Sequence, residues 1–102
     1  MTPKQNEQLL GDVHRLTHLA EILKALAHPI RLGIVAILSE GDEHVNGLAE
    51  RLSCKQPVVS QQLRILRMRR LVQVARRDGF AYYRLAEPRL REMLRCMAGC
   101  SI

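Results

Sequence analysis

The stretch that most constrains this fold is "LVQVARRDGFAYYRL", residues 71–85, because its period differs from everything before it. "LVQVARR" alternates apolar and polar side chains, as a half-exposed strand does. "DG" is a strong signal for a tight hairpin turn, and "FAYYRL" reads as the return strand. One such hairpin in an otherwise helical pattern predicts a mainly α chain with a small β element.

The helical pattern is explicit elsewhere. Residues 6–27 place Leu9, Leu10, Val13, Leu16, Leu19, Ala20, Leu23, Leu26 and Ala27 at helical spacing, which predicts one long helix. "AHPIRL" interrupts it, since Pro29 disfavours helix at His28 and suits the first turn of the next helix. Residues 30–39 are densely apolar and predict a central buried helix, and "SEGDE" reads as a turn. "VNGLAERL", residues 45–52, is a short helix, Ser53–Lys55 a tight connection, and residues 56–70 a further helix with Pro57 in its first turn. A last helix starts at Glu87 or Pro88 and runs through Leu90, Met93, Leu94 and Met97. The order helix, helix, short helix, helix, strand, strand, helix is the winged helix-turn-helix plan. At 102 residues the expectation is one domain over 1–102. Aromatics are only 3%, so its core must be aliphatic. A domain this small gains from oligomerisation.

Charge is segregated. Residues 55–91 hold ten basic side chains against Asp78 and Glu87, a net of +8, whereas residues 1–54 carry a net of −2. That is the electrostatic footprint of a polyanion partner, with a merely solvated basic surface as the plain alternative.

In a helix-turn-helix the second helix enters the major groove, and its outer face needs hydrogen-bonding side chains of moderate reach. "QPVVSQQLR" fits. Val58, Leu63 and Leu66 are expected to pack inward, and Gln56, Ser60, Gln61 and Arg64 to face out, with Val59 available for a thymine methyl. Lys55 can reach a phosphate. In the hairpin, Arg76, Arg77 and Arg84 suit phosphate or minor-groove contact. Alternation puts Phe80 and Tyr82 on one face and Tyr83 on the other, one of which packs on the domain.

"LKALAHPIRLGIVAIL", "CKQPVVSQQLRILRMRRLV" and "RRDGFAYYRL" together resemble the ArsR/SmtB family of bacterial winged-helix repressors, over roughly residues 20–86. The resemblance implies a homodimer built mainly from the first and last helices. It also implies binding to a palindromic double-stranded operator, and an inducer that weakens that binding. Two departures limit what carries over. Arsenic sensors of the family have a Cys-x-Cys cluster entering the short helix, where this chain has "HVNGLAE". Zinc, nickel and cobalt sensors use Asp and His on the last helix, and "EPRLREMLRCMAGC" has neither. Neither metal site is carried over.

Three cysteines remain as inducer candidates. Cys96 and Cys100 are four apart and share a helix face. Such a pair suits a thiophilic metal or metalloid, or oxidation, and packing beside Leu90, Met93 and Met97 is the plain alternative. Cys54 sits in the turn before the reading helix, at a position usually apolar in the family, and core filling is its favoured reading. His14 and His18 have metal-ligand spacing on the first helix and would approach Cys96 and Cys100 if the first and last helices pair between subunits. No cofactor is required on this reading.

An enzyme is not expected, since the chain shows no nucleophile–base constellation, phosphate-binding glycine loop or paired carboxylates in an evident cleft. The longest strongly apolar run, Leu32–Leu38, is far short of the ~20 residues of a bilayer span. With no signal pattern in "MTPKQNEQ", the expectation is a cytoplasmic protein without a membrane partner. Beside a repressor released by a thiol-directed signal stand two alternatives: a winged-helix regulator with inert cysteines, and a winged-helix protein-interaction module.

Overall fold

The computed structural model describes residues 2–99, apart from the side chains of Asn6, Gln8 and Leu9. Six helices and one hairpin follow in the order α1 (Pro3–Leu10), α2 (Val13–Leu26), α3 (Pro29–Leu38), α4 (Val45–Leu52), α5 (Gln56–Met68), β1 (Val72–Arg77), β2 (Phe80–Leu85) and α6 (Arg89–Ala98). The winged helix-turn-helix plan holds, with one correction. The long first helix expected over residues 6–27 is two helices. Gly11 closes α1 through a bond from its amide to the Glu7 carbonyl, and the Asp12 carboxylate caps α2 by accepting from the Arg15 amide. An N-cap so placed restarts a helix and overrides the continuous apolar period.

Local chemistry sets most other boundaries. His28 caps α3 by accepting the Ile30 amide on Nδ1, and Pro29 occupies the first turn. His44 caps α4 in the same way, accepting the Gly47 amide at 3.1 Å. The hairpin turns through Asp78 (φ 53°) and Gly79 (φ 81°), and both left-handed residues are what a type I′ turn demands.

The core is aliphatic throughout. Ile22, Ala25 and Leu26 of α2 meet Ile34, Val35, Ile37 and Leu38 of α3, Leu48 and Ala49 of α4, and Val59, Leu63 and Leu66 of α5. Leu71, Val72 and Leu90 close it, and no polar residue is buried among those described. Gly33 allows α3 and α4 to approach closely, because a Cβ there would stand 2.6 Å from a Leu52 methyl. The last helix is tied to the centre by Arg91, whose Nε donates to the Ser39 carbonyl at 3.0 Å.

The wing is a two-stranded sheet with Val72 opposite Leu85 and Val74 opposite Tyr83. A third segment joins it. Glu43 exchanges two backbone hydrogen bonds with Tyr83, at 2.7 and 3.1 Å, and so fastens the turn before α4 to β2. Tyr83 is accordingly the wing aromatic that packs on the core, while Phe80 is 63% exposed on the other face.

Candidate nucleic-acid interface

The helix-turn-helix unit is built by α4, a tight turn and α5. The turn closes α4 in a Schellman motif: Ser53 is left-handed (φ 52°), its amide reaches the Glu50 carbonyl, and the Cys54 amide reaches the Ala49 carbonyl at 3.0 Å. In that motif the residue after the left-handed one packs back on the helix, which explains why Cys54 is half-buried against the core. Its thiol donates to the Leu52 carbonyl at 3.3 Å. Lys55 is the N-cap of α5, and its ammonium group, a donor only, cannot accept the free amides of the helix start.

Helix α5 turns its faces as its core contacts dictate. Val59, Leu63 and Leu66 lie at i, i+4 and i+7 and are buried. Val59 is therefore sealed in the core and not available to a thymine methyl, while Val58, expected inward, is 41% exposed. The two neighbours are about 100° apart on a helix, so only one of them can share the face of Leu63 and Leu66. Gln56, Ser60, Gln61 and Arg64 are exposed as expected. Pro57, Gln61, Arg64 and Met68 form the centre of the outer row, and Met68 is 75% exposed. Val58 and Met68 were not among the sequence candidates; counting the helical period from Val59 instead of Val58 would have found both.

Gln62 has a separate role. Its Oε1 accepts Arg31 Nη1 at 2.9 Å, and Arg31 Nε donates to the Ala25 carbonyl at 2.6 Å. One guanidinium thereby joins the C-terminal turn of α2 to α5.

The three wing arginines are not equivalent. Strand alternation places Arg76 with Val72, Val74 and Tyr83, and Arg77 with Phe80, Tyr82 and Arg84. Arg77 and Arg84 each donate Nη2 to Asp42 Oδ2, at 2.7 and 2.8 Å. The Arg77 guanidinium also lies 4.8 Å from the Tyr82 ring centre. Arg84 Nε is buried without a hydrogen-bond partner. Arg76 is exposed and has no ion-pair partner among the described residues.

The inducer candidates are dispersed. Cys96 is exposed on α6, and Cys100 lies outside the described residues. His14 and His18 are exposed on α2. Among the described residues of one subunit, no three His, Cys, Asp or Glu side chains are grouped to hold a metal ion. No helix among them is long and apolar enough to cross a membrane.

Comparison with known proteins bears on this geometry directly. The sequence model for "Bacterial regulatory protein, arsR family" matches residues 28–74, which span α3, the helix-turn-helix and the start of the wing. The biofilm growth-associated repressor of Agrobacterium fabrum is 37% identical over 102 residues, 94% of this chain and 87% of that protein. The crystal structure of the transcriptional repressor BigR from Xylella fastidiosa superposes with a TM-score of 0.80 at 32% identity, covering 100% of both chains. Reduced HlyU from Vibrio cholerae N16961 superposes at 0.78 with 27% identity, covering 86% of this chain and 95% of that one. Near-complete coverage at this identity, with the same helix-turn-helix and wing, leaves one conclusion: the chain belongs to the arsR family of bacterial regulatory proteins.

Proposed function

We propose that this protein is a DNA-binding transcriptional repressor of the ArsR/SmtB type, acting as a homodimer on a double-stranded operator. The observation that carries the reading is the exposed surface of α5: Gln61 and Arg64 lie in its outer row and Gln56 and Ser60 are exposed beside it, on a helix whose Val59, Leu63 and Leu66 are locked into the core. Gln can pair with adenine and Arg with guanine or phosphate. Val58 takes the apolar contact that Val59 cannot make. Lys55 and the wing arginines Arg76, Arg77 and Arg84 supply the positive charge that faces phosphate, with Arg77 and Arg84 also engaged by Asp42. Relatives named as repressors in Agrobacterium fabrum and Xylella fastidiosa support the regulatory direction.

The dimer is assigned to the first and last helices. Leu10, Val13, Leu23 and Met97 are large apolar side chains left exposed on α1, α2 and α6, and a second copy covering them would remove them from water. Release is assigned to a thiol-directed signal, an oxidant, reactive sulfur species, or thiophilic metal or metalloid, acting at Cys96 and Cys100. The exposure of Cys96 on α6 supports this, as does the likeness to a protein solved in a reduced form. His14 and His18 are held as subsidiary ligands only across such an interface. The competing reading, a regulator with inert cysteines, is favoured at one place: Cys54 fills the Schellman contact and packs on the core.

Fluorescence anisotropy against a random-pool-selected duplex tests the whole reading. Gln61→Ala and Arg64→Ala should relax base preference, whereas Arg76→Gln should weaken all duplexes alike. Treatment with mild oxidant, polysulfide or arsenite should lower the affinity of the wild type and not of Cys96→Ser/Cys100→Ser. An equal response in that double variant removes this pair as the sensor. Affinity that is indifferent to salt favours a protein-interaction module instead.

A further inference from the structure

Asp42 lies in the turn between α3 and α4, outside the helix-turn-helix and the wing strands, yet it holds two wing cations at once. Its position does not depend on those bonds. The next residue, Glu43, is fastened to Tyr83 by a backbone exchange, so the ladder itself brings the carboxylate alongside Arg77 and Arg84. Arg77 is further held over Tyr82. Each cation spends one Nη2 on the carboxylate and has its charge partly neutralised by it, so a phosphate that approaches Arg77 or Arg84 also meets the negative charge of Asp42 and gains less than it would from a free guanidinium. Arg76 stands on the opposite face of the hairpin and carries no such cost.

We propose that Asp42 is a specificity determinant of the wing: it masks Arg77 and Arg84 from DNA phosphates and leaves Arg76 as the wing cation that contacts the backbone. The proposal rests on the DNA-binding reading above. Phosphate contacts supply affinity that is the same for every sequence. Masking two of three wing cations lowers that common term and leaves base contacts from α5 untouched, so discrimination between operator and bulk DNA rises.

Asp42→Asn separates charge from shape, because the amide keeps an oxygen acceptor in the same place. Binding of the dimer to a selected duplex and to a scrambled duplex is measured by anisotropy over a salt series. Asp42→Asn should tighten binding to the scrambled duplex and steepen the slope of log affinity against log salt by about 0.9 for each cation released, about 1.8 per wing when both reach phosphate. The ratio between the two duplexes should fall. Arg77→Gln alone should leave the slope where it was, and Asp42→Asn/Arg77→Gln should take back about half of the added slope, because Arg84 stays released. An unchanged or weaker affinity in Asp42→Asn overturns the masking role, and so does a shallower slope in Arg77→Gln alone. If the wild type binds neither duplex in a salt-dependent way, the DNA-binding reading itself fails, and this proposal fails with it.

Discussion

Arg31 and Gln62, thirty-one residues apart in sequence, are joined side chain to side chain at 2.9 Å, and the same guanidinium reaches the Ala25 carbonyl at 2.6 Å. The contact braces α5 at the edge of its buried face, beside Leu63 and Leu66, whose burial sets the helix's rotation. The Ala25 carbonyl is in the last turn of α2, where intrahelical acceptors go unpaired. Arg31 therefore links a segment assigned to the dimer interface with the helix assigned to the groove.

Arg31→Met should destabilise the protein by about 1.5–3 kcal/mol, the range for losing a hydrogen bond made by a charged group. Urea unfolding of Arg31→Met, Gln62→Ala and the double variant should show coupling between the two sites. Strictly additive losses would mean the two side chains do not support each other.

Val58 and Val59 should behave oppositely. Val59→Ala removes buried methyl groups and should cost about 2 kcal/mol, from transfer and residual cavity together. Val58→Ala should stay within about 0.5 kcal/mol, and its effect should appear as altered preference at thymine positions in the selected duplex. A large stability loss at Val58 with none at Val59 would reverse the assignment of faces.

Arg70 is left-handed (φ 60°) at the end of α5, where its amide reaches the Arg67 carbonyl and the Leu71 amide reaches Leu66. This is a second Schellman motif, with arginine in the place that glycine fills without a Cβ penalty. Arg70→Gly should raise stability by about 0.5–1 kcal/mol, the left-handed strain of about 1–2 kcal/mol less the freedom that glycine adds to the unfolded chain, which for a domain of this size moves the thermal midpoint up by several degrees. A lower midpoint would show that the Arg70 side chain contributes contacts worth more than the strain.

Glu40 and Arg51 form an exposed ion pair at 2.9 Å between the end of α3 and α4. The hydrogen bond and charge of Arg51 hold the Glu40 carboxyl below its ordinary value. A carboxylate depressed in the folded state stabilises above its unfolded pKa of about 4.3 and loses that contribution as pH falls through the lower folded value. Urea midpoints should therefore fall less between neutral pH and pH 3 in Glu40→Gln than in the wild type. High salt should shrink the difference, because the pair is exposed. An identical acid response in both proteins would show the pair to be without consequence for stability.

What was legible in the sequence is what neighbours within one or two turns decide. The switch from helical to alternating period at Leu71, the "DG" turn, Pro29 and Pro57 at helix starts, and the aliphatic core all follow from local sterics and spacing. The exposure of Gln56, Ser60, Gln61 and Arg64 follows as well, once α5 is known to lie on the core. One local signal was readable and outweighed: "GD" at Gly11 and Asp12 ends one helix and caps the next, though the apolar period runs straight through it.

Tertiary structure alone decided the rest. Val58 and Val59 are chemically the same residue, and only the angle at which α5 meets α3 and α4 chooses the one that is buried. Arg76 and Arg77 are adjacent and identical, and only the placement of Asp42, beside the exchange between Glu43 and Tyr83, holds Arg77 and leaves Arg76 without an ion-pair partner among the described residues. These choices depend on groups well beyond one or two turns along the chain, and about thirty-five residues away for Asp42 and Arg77, brought together by packing. Local periodicity can name the set of candidate contacts, but the field and the partner each one meets arise only when the chain has closed on itself.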